Sequence, residues 1–526
     1  MSFQVRRHLR FWLIFHAVLV VYLVTRAPGL TWSHRGADGG DFLSAAVTLG
    51  VAHPAGYPSY TLLLRLFMLL PVREPAAAGS LLSAVMGAAA AAFCGEIILL
   101  LLKPLARGWR QQRMVAWASA VGAFSFAFMP LVWGQALITE VYTFHLTLVS
   151  AAFWLLLRWR RTGRGLPWVG LMMGLGMTNH LTTAFLGPAA LAVVVAGREH
   201  LAPRKQDGTG RHNGLVQMLA ASGAFCVGLA PYAYIPWAAR RMPPINWENP
   251  QTWEAFKRLV LASRYSHNLL DASPDVVLER ISSWFGSLPP GICAPICLLL
   301  MAGFLWLLLR DPAAGVMTGI YALLSAGYAA GYGTTDYWVN LLPAVLMLAI
   351  WLATGTWLAL RQLSRCRCRF APALGAAGVV IALAMPLALL VTSWNEMDIH
   401  DEQVANNWVA KALEVAEPDA LVFTRSDQFT FGMWYACYSL DERPDLVPIL
   451  PTFLRRIWYR KTLAANHQGL DLRPAGLGAE ALQTMIRRHL GQRPIYLTWE
   501  DETTAEQYNL VKEWPLWRVT PRTDSG

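Results

Sequence analysis

Long apolar stretches recur along the whole chain and are separated by short polar segments. About eleven of them approach the ~20 mostly apolar residues that a helix needs to cross a bilayer. They lie at 11–27, 77–102, 114–133, 140–157, 166–179, 181–197, 215–238, 284–309, 313–332, 338–360 and 371–393. The pair 166–179 and 181–197 is short enough to form one broken span. The pattern predicts a mainly α-helical, multi-pass membrane protein.

The composition strengthens this prediction. The 526 residues are 55% hydrophobic and 15% charged, whereas soluble domains carry ~25% charged residues. The basic N-terminus, MSFQVRRHLR, leads directly into the first apolar stretch. No good cleavage site follows that stretch, so we interpret it as an uncleaved first span rather than a signal peptide.

The net charge of +11 comes from basic residues in short loops. These loops, at 103–113, 158–164, 198–212, 310 and 361–369, all fall on the side of the N-terminus when eleven spans are counted. The positive-inside rule then places the N-terminus in the cytoplasm. The same rule places the segments 28–76 and 239–283 outside, with the tail from 394. Charge distributed in this way encodes topology and does not indicate nucleic-acid binding.

The tail differs from the rest of the chain because it is richer in charge. Short β-like runs lie at 420–424 and 494–499, and helical patterns lie at 402–416 and 479–490. Alternating strands and helices predict a small α/β domain. We therefore expect a transmembrane catalytic domain at 1–393 and an extracytoplasmic domain at 394–526.

The first outer segment carries the polar residues of greatest interest. DGGDF contains Asp38 and Asp41, and HPAGYPSY contains His53 and Tyr57. A helix cap would explain Asp41 equally well, because a carboxylate accepts the free N–H groups of a first helical turn. A cap does not explain Asp38 as well. Two acids beside a membrane surface indicate a functional site.

Other polar residues fall on the same predicted side of the membrane. They are Arg65 in an interfacial helix at 61–71, Glu140, Asn179, His180, Arg240, Asp336 and Tyr337. Arg240 opposes the charge bias of the loops, and an anionic substrate such as a lipid phosphate would account for it. Snorkelling at a helix end is the alternative explanation. The sequence contains neither a Walker loop nor a dinucleotide fingerprint.

The opening segment DGGDFLSAAVTLGVAHPAGYPSYTLLLRLFMLLP resembles that of a family of membrane proteins. The resemblance continues through LITEVYTFH, TNHLTT, PPINWENPQTWEAFKRLVLASRY and DYWVNLLPA, and covers nearly the whole chain. The family includes the eukaryotic transmembrane O-mannosyltransferase that acts on immunoglobulin-like domains of plexins. It is placed among the GT-C glycosyltransferases. The eukaryotic member has a longer C-terminal region, so its acceptor preference is not carried over.

The resemblance implies a polyprenyl-phosphate sugar donor and an acidic motif in the first outer loop. Lipid A aminoarabinose transferases are similar and carry an Asp four residues before an aromatic residue; here these are Asp38 and Phe42. Asp38 is therefore the first candidate for the catalytic base. Asp41 is the second, although many relatives are expected to have Glu there. Asp41 or Glu140 would orient the acceptor.

The remaining residues are expected to contact substrate. Arg65, Arg240 or His53 would receive the lipid phosphate. The other candidates for substrate binding are Tyr57, Asn179, His180, Asn246, Trp247, Tyr265, Asp336 and Tyr337. No metal is expected to be required, because a polyprenyl phosphate leaves as an anion, although the acids could hold a divalent cation.

The sequence thus predicts a multi-pass enzyme, expected in a bacterial inner membrane with its active site and tail periplasmic. It would move mannose from a polyprenyl-phosphate donor to a hydroxyl of a secreted or periplasmic acceptor, expected to be a protein. Transfer to a lipid or glycan is one alternative. A transporter or flippase is another, but that class predicts ionisable groups near the midplane and an internal repeat, and the sequence has neither.

Overall fold

The computed structural model describes residues 3–201, 214–286, 290–365, 371–473, 476 and 479–522. Its first part, up to Met397, is helical. In chain order the α-helices are α1 (Phe3–Thr25), α2 (Gly39–Thr48), α3 (Pro58–Phe67), α4 (Pro75–Leu102), α5 (Gly108–Ala127), α6 (Pro130–Ala136), α7 (Tyr142–Thr162), α8 (Leu166–Met177), α9 (Leu186–Ala196), α10 (Gly214–Gly228), α11 (Tyr234–Arg240), α12 (Trp253–Val260), α13 (Pro274–Gly286), α14 (Pro290–Arg310), α15 (Pro312–Gly331), α16 (Leu342–Leu363) and α17 (Ala371–Met397).

Within the described residues, each of the eleven predicted apolar segments overlaps one or more helices. Within the described part of the chain, five helical segments are long and apolar enough to cross a membrane, or six if the bent pair α5 and α6 is one span. The five are Pro75–Leu105, Gly214–Arg240, Pro312–Gly331, Tyr337–Leu363 and Ala376–Met397. Shorter apolar helices lie at Leu9–Thr25, Leu166–Met177, Leu181–Ala196 and Ala294–Arg310. The protein is therefore a multi-pass membrane protein, and the total of eleven spans stays a prediction.

Short 3₁₀ and π turns lie between these elements. The 3₁₀ turns are Ser33–Asp38, Lys103–Leu105, Leu181–Phe185, Arg198–His200, Ala230–Ala233, Ser263–Asn268, Tyr337–Leu341 and Pro451–Phe453, and Tyr435–Ser439 is a π turn. At the predicted cytoplasmic end, Arg160 of α7 forms an ion pair with Asp311 at the start of α15. The predicted loop residues Arg204, Lys205, Arg211, Arg367 and Arg369 lie outside the described residues.

The tail contains five helices and a small mixed sheet. The helices are α18 (Val404–Val415), α19 (Asp427–Trp434), α20 (Ile457–Asn466), α21 (Ala479–His489) and α22 (Glu502–Gln507), and the strands are β1 (Leu421–Phe423), β2 (Val447–Ile449), β3 (Ile495–Leu497), β4 (Asn509–Glu513) and β5 (Leu516–Thr520). The strand order is β2-β1-β3-β5-β4. The pairs β1–β2 and β1–β3 are parallel, and β5 pairs antiparallel with β3 and β4. The predicted α/β character of the tail is confirmed.

The tail shares a hydrophobic core with the first outer segment. Phe42 of α2, Trp247, Val422 of β1 and Phe431 of α19 belong to one buried cluster. Aromatic burial of this kind is the main stabilising term for such a contact, at roughly 25 cal/mol for each Å² of apolar surface removed from water. Helix α17 ends at Met397 and α18 begins at Val404. The domain boundary predicted at residue 393 stays a prediction.

The two glycines of DGGDF allow this packing. A Cβ atom at Gly40 would lie 2.6 Å from the carbonyl carbon of Phe431, and one at Gly39 would lie 3.3 Å from the Cβ of Thr139. Since real Cβ atoms essentially never approach other heavy atoms within 3.0 Å, a side chain at Gly40 would push the tail away. The start of α2 is thereby brought against both the tail and the segment that precedes α7.

Candidate active site

A cavity of about 780 Å³ lies where the predicted outer segments meet the tail. The transmembrane part contributes the segments that carry Asp38, His53, Glu140 and Tyr265, and the tail contributes residues that follow its strands. The lining residues are therefore far apart in sequence, and only the folded chain brings them together. The predicted candidates that line the cavity are Asp38, His53, Tyr57, Glu140, His180, Trp247, Tyr265 and Asp336.

Asp38 faces the cavity from the start of α2. It occupies the N-cap position of the helix, but its side chain makes no capping hydrogen bond. The carboxylate keeps 38% of its surface accessible, whereas that of Asp41 is fully buried. Desolvation of the carboxyl group raises the pKa of Asp38 to about 6, and the nearby Asp427, Asp41 and Asp336 act in the same direction. The charge of His53 acts in the opposite direction and lowers this pKa. A carboxylate of this pKa is a better base near neutral pH than an ordinary Asp.

Asp41 lies behind the cavity and does not line it. Its Oδ2 accepts the backbone N–H of His53 at 2.9 Å and lies 2.8 Å from His53 Nδ1. Its Oδ1 accepts the indole N–H of Trp247 at 2.9 Å. Both carboxylate oxygens are thus used within the protein, and a catalytic role for Asp41 stays a prediction.

His53 links the two acids. Its Nε2 lies 3.7 Å from Asp38 Oδ2 while its Nδ1 contacts Asp41. Burial lowers the pKa of the imidazole, but Asp38, Asp41 and Glu140 outweigh this effect and raise the pKa to about 9. The ring is therefore protonated at neutral pH, and the charge of Asp38 is balanced from within the site.

The loop that carries His53 is held by a short backbone bridge. Val51 donates its N–H to Ile245 O at 2.8 Å, and Trp247 donates its N–H to Val51 O at 3.2 Å. Gly56 has a φ of +86°, a backbone conformation that glycine adopts without strain, and its N–H bonds to His53 O at 2.7 Å. The bridge brings the HPAGYP and INW segments, which are distant in sequence, together, so that His53 and Trp247 both bind the carboxylate of Asp41.

Glu140 provides a second carboxyl group to the cavity. Its residue is 4% exposed, and Oε2 accepts the N–H of Val141 at 3.3 Å. Glu140 is therefore a second carboxyl group beside Asp38 in the cavity, and it is more deeply buried than Asp38.

A cationic wall faces the acids, and the sequence did not single it out. Arg264 lies in the 3₁₀ turn Ser263–Asn268, and Arg35 and Arg425 line the cavity with it. Nη1 of Arg264 is buried and makes no hydrogen bond to any residue that the structure describes. Burial lowers the pKa of Arg264, and Arg456 and Arg455 act in the same direction, but a guanidinium remains charged in proteins. An unpaired, half-buried guanidinium is a site for an anion.

Several predicted residues lie outside the cavity. Arg65 donates to Val47 O at 3.3 Å, and Arg240 is exposed at the end of α11. The buried Asn179 and Asn246 donate to the carbonyl groups of Val141 and Ala239, and the ring of Tyr337 packs under Arg280 at 3.9 Å. Because their side chains bind other parts of the protein or face solvent, a substrate contact in this cavity is not supported for any of these residues. The sequence predicts the side of the membrane on which a residue lies, but not where its side chain points.

The tail supplies the remaining wall from the carboxyl ends of its parallel strands. Arg425 and Asp427 follow β1, and Thr452 and Phe453 follow β2. Ligands of open α/β sheets bind outside these strand ends. In the ranges that the structure describes, no group of three or more His, Cys, Asp or Glu residues could hold a metal ion. Independence from metal nonetheless stays a prediction.

Comparison with solved structures defines the class. The chain is similar to ArnT from Cupriavidus metallidurans, both bound to undecaprenyl phosphate and in the apo state, with TM-scores of 0.59 and 0.56. Each alignment covers 98% of both chains at 11% identity, which shows the fold alone. The protein therefore shares the fold of ArnT.

Residues 38–202 match the family model described as the protein O-mannosyl-transferase TMEM260 N-terminal domain. The chain is 29% identical over 230 residues to the mouse (Mus musculus) protein O-mannosyl-transferase TMEM260, and 27% identical over 146 residues to that of Dictyostelium discoideum. These alignments cover 42% and 27% of this chain and 29% and 16% of the relatives, so the chain matches less than a third of their length. The resemblance to this family that was predicted from the sequence is therefore confirmed for residues 38–202.

Proposed function

We propose that the protein transfers a sugar, expected to be mannose, from a polyprenyl-phosphate donor to a hydroxyl group of a protein acceptor. One observation carries this proposal: a free carboxylate, Asp38, and an unpaired guanidinium, Arg264, line the same cavity. Transfer from a lipid phosphate needs a base at the acceptor and a cation at the leaving group. The family of residues 38–202 and the undecaprenyl phosphate in a structure of the same fold support this choice of chemistry.

The chemistry is a single displacement. The acceptor oxygen attacks the anomeric carbon of the sugar and loses its proton to Asp38 as the new C–O bond forms. The bond between the anomeric carbon and the phosphate oxygen breaks, and its electron pair stays on the polyprenyl phosphate. Arg264 stabilises the charge that develops there. Glu140 orients the acceptor from the same cavity.

The positions of the other groups follow from their contacts. His53 favours the ionised form of Asp38, and Asp41 holds the imidazole of His53 in place. Tyr57, Trp247 and Tyr265 offer aromatic surfaces to a sugar ring. We further propose that the cavity opens to the non-cytoplasmic side, because the basic loops of the sequence lie on the opposite side of the predicted spans. A donor in the outer leaflet and a secreted acceptor would then meet at this cavity.

The activity is tested with the purified full-length protein, radiolabelled polyprenyl-phosphate mannose and an extract of periplasmic proteins. We expect label in a protease-sensitive protein fraction. Heat-denatured enzyme is the blank, and GDP-mannose replaces the lipid donor in a parallel reaction. Label in solvent-extractable lipid would overturn the protein acceptor, and transfer from GDP-mannose would overturn the lipid-linked donor.

The pH dependence follows from the two pKa values in the site. Asp38 must be ionised to act as a base, so activity is expected to fall as the pH drops through about 6. His53 loses its proton as the pH rises through about 9, which removes the cation between the two acids. The kcat/KM for the donor should therefore peak between these two values. In His53→Gln the acid limb should move to higher pH, because His53 lowers the pKa of Asp38. A wild-type profile that is flat from pH 5 to 10 would contradict these roles.

A further inference from the structure

The guanidinium of Arg264 is held by an aromatic ring that belongs to the tail. Its Cζ lies 4.3 Å from the ring centroid of Phe453 and 5.9 Å from that of Trp247. Phe453 packs edge-on against Trp247, with ring centroids 5.1 Å apart, and Trp458 of α20 closes the cluster at 5.7 Å from Phe453. Arg264 is therefore fixed by aromatic faces, which leave its N–H groups free for a ligand.

Phe453 is itself rigidly placed. It ends the 3₁₀ turn Pro451–Phe453, directly after the parallel strand β2, and only 5% of the residue is exposed. The N–H of Leu450, in the same connection, is bound by the hydroxyl group of Tyr459 at 2.9 Å. The sheet of the tail thus positions the ring, and the ring positions a cation that belongs to the transmembrane part.

We propose that the tail completes the donor-phosphate site, with Phe453 as the positioning residue for Arg264. Arg456 and Arg455 disfavour the charge of Arg264, whereas Tyr265 and Glu248 favour it, and the closest support that the structure shows for the guanidinium is the ring of Phe453. An aromatic face provides this support. The inference rests on the proposed function. It gives the tail a role in binding the donor and not only the acceptor.

The test uses Phe453→Leu in the full-length protein. We expect the Kd for polyprenyl phosphate and the KM for the donor to rise about threefold to tenfold, the range of one cation–π contact. The KM for the acceptor should stay near that of the wild type. Phe453→Tyr should restore donor affinity, because it retains the aromatic face. Phe429→Leu is the matched control, since Phe429 stacks on Trp408 in the same domain at 4.5 Å and has no contact with Arg264.

A double-mutant cycle separates positioning from general loss of structure. If Phe453 acts through Arg264, Phe453→Leu should have no further effect on donor affinity in the Arg264→Gln background. Additive effects, or equal donor affinity in wild type and Phe453→Leu, would overturn the inference alone. Absence of any polyprenyl phosphate binding by the wild type would overturn the proposed function and this inference together.

Discussion

Asp38→Asn is expected to lower sugar transfer by about 10³-fold, the middle of the range for loss of a general base. Asn has the same shape as Asp but cannot take a proton from the acceptor hydroxyl. Because the side chain is partly accessible and makes no capping bond, the substitution should leave folding and membrane insertion intact. The rate is measured with radiolabelled donor, and folding by size-exclusion chromatography and thermal unfolding.

The control for this substitution is Asp441→Asn. Asp441 is exposed and has a φ of +55°, which Asn tolerates as well as Asp does. Its activity should equal that of the wild type. If Asp38→Asn retained full transfer, Asp38 would play no part in the chemistry, and Glu140 would be the remaining free carboxyl group of the predicted catalytic set that lines the cavity. Binding of polyprenyl phosphate should survive in Asp38→Asn, since Arg264 is unchanged.

The helical part of the fold was predictable because burial in lipid imposes one simple pattern. A stretch of apolar residues long enough to cross the membrane must satisfy its backbone hydrogen bonds internally, and only a helix does so within one segment. Within the described residues, the eleven predicted positions therefore overlap helices. In the tail, β1, β3, α18 and α21 were predicted from local runs, but the strand Val447–Ile449 and the hairpin β4–β5 were missed. Three residues, one of them a proline, are too few for a local pattern, and β2 exists because it pairs with β1.

The acids of the cavity were predictable for a related reason. Charged groups are expensive near a membrane, so Asp38 and Glu140 were conspicuous in sequence. The sequence did not show that Asp38 lines the cavity while Asp41 is buried behind it. The two are three residues apart, and both lie close to His53. Only the folded chain shows that the carboxylate of Asp41 is bound by His53 and by the indole of Trp247.

The cations were predicted poorly, because a sequence gives the side of the membrane and not the direction of a side chain. Of the selected cations, His53 lines the cavity but Arg65 and Arg240 do not. The arginines that line it, Arg35, Arg264 and Arg425, were not selected. Arg425 carried a usable signal: RSD follows the predicted strand ALVFT directly, and the carboxyl ends of parallel strands bind ligands. The support of Arg264 by Phe453 could not be predicted, since it joins two parts of the fold.

Arg264→Gln should have the second large effect. Loss of a positioned cation at a leaving phosphate is expected to lower kcat/KM for the donor by about 10²–10³-fold. Glutamine keeps a hydrogen-bond donor and much of the side-chain volume but removes the charge, so the transition state suffers more than the packing. Arg264→Lys should recover part of the loss, because it restores a point charge without the planar fork that matches a phosphate.

The matched control is Arg258→Gln. Arg258 belongs to the neighbouring helix α12, its side chain is 55% exposed, and it lies 3.7 Å from Glu248. Because Arg258 is largely exposed and does not line the cavity, donor kinetics should stay near those of the wild type. Salt distinguishes the two arginines further. Added salt screens the attraction between the half-buried Arg264 and a bound phosphate less than it screens the attraction between two exposed charges. If Arg264→Gln kept wild-type kcat/KM and polyprenyl phosphate affinity, the phosphate would have to bind elsewhere in the cavity, and Arg35 and Arg425 would be the remaining cations of its wall.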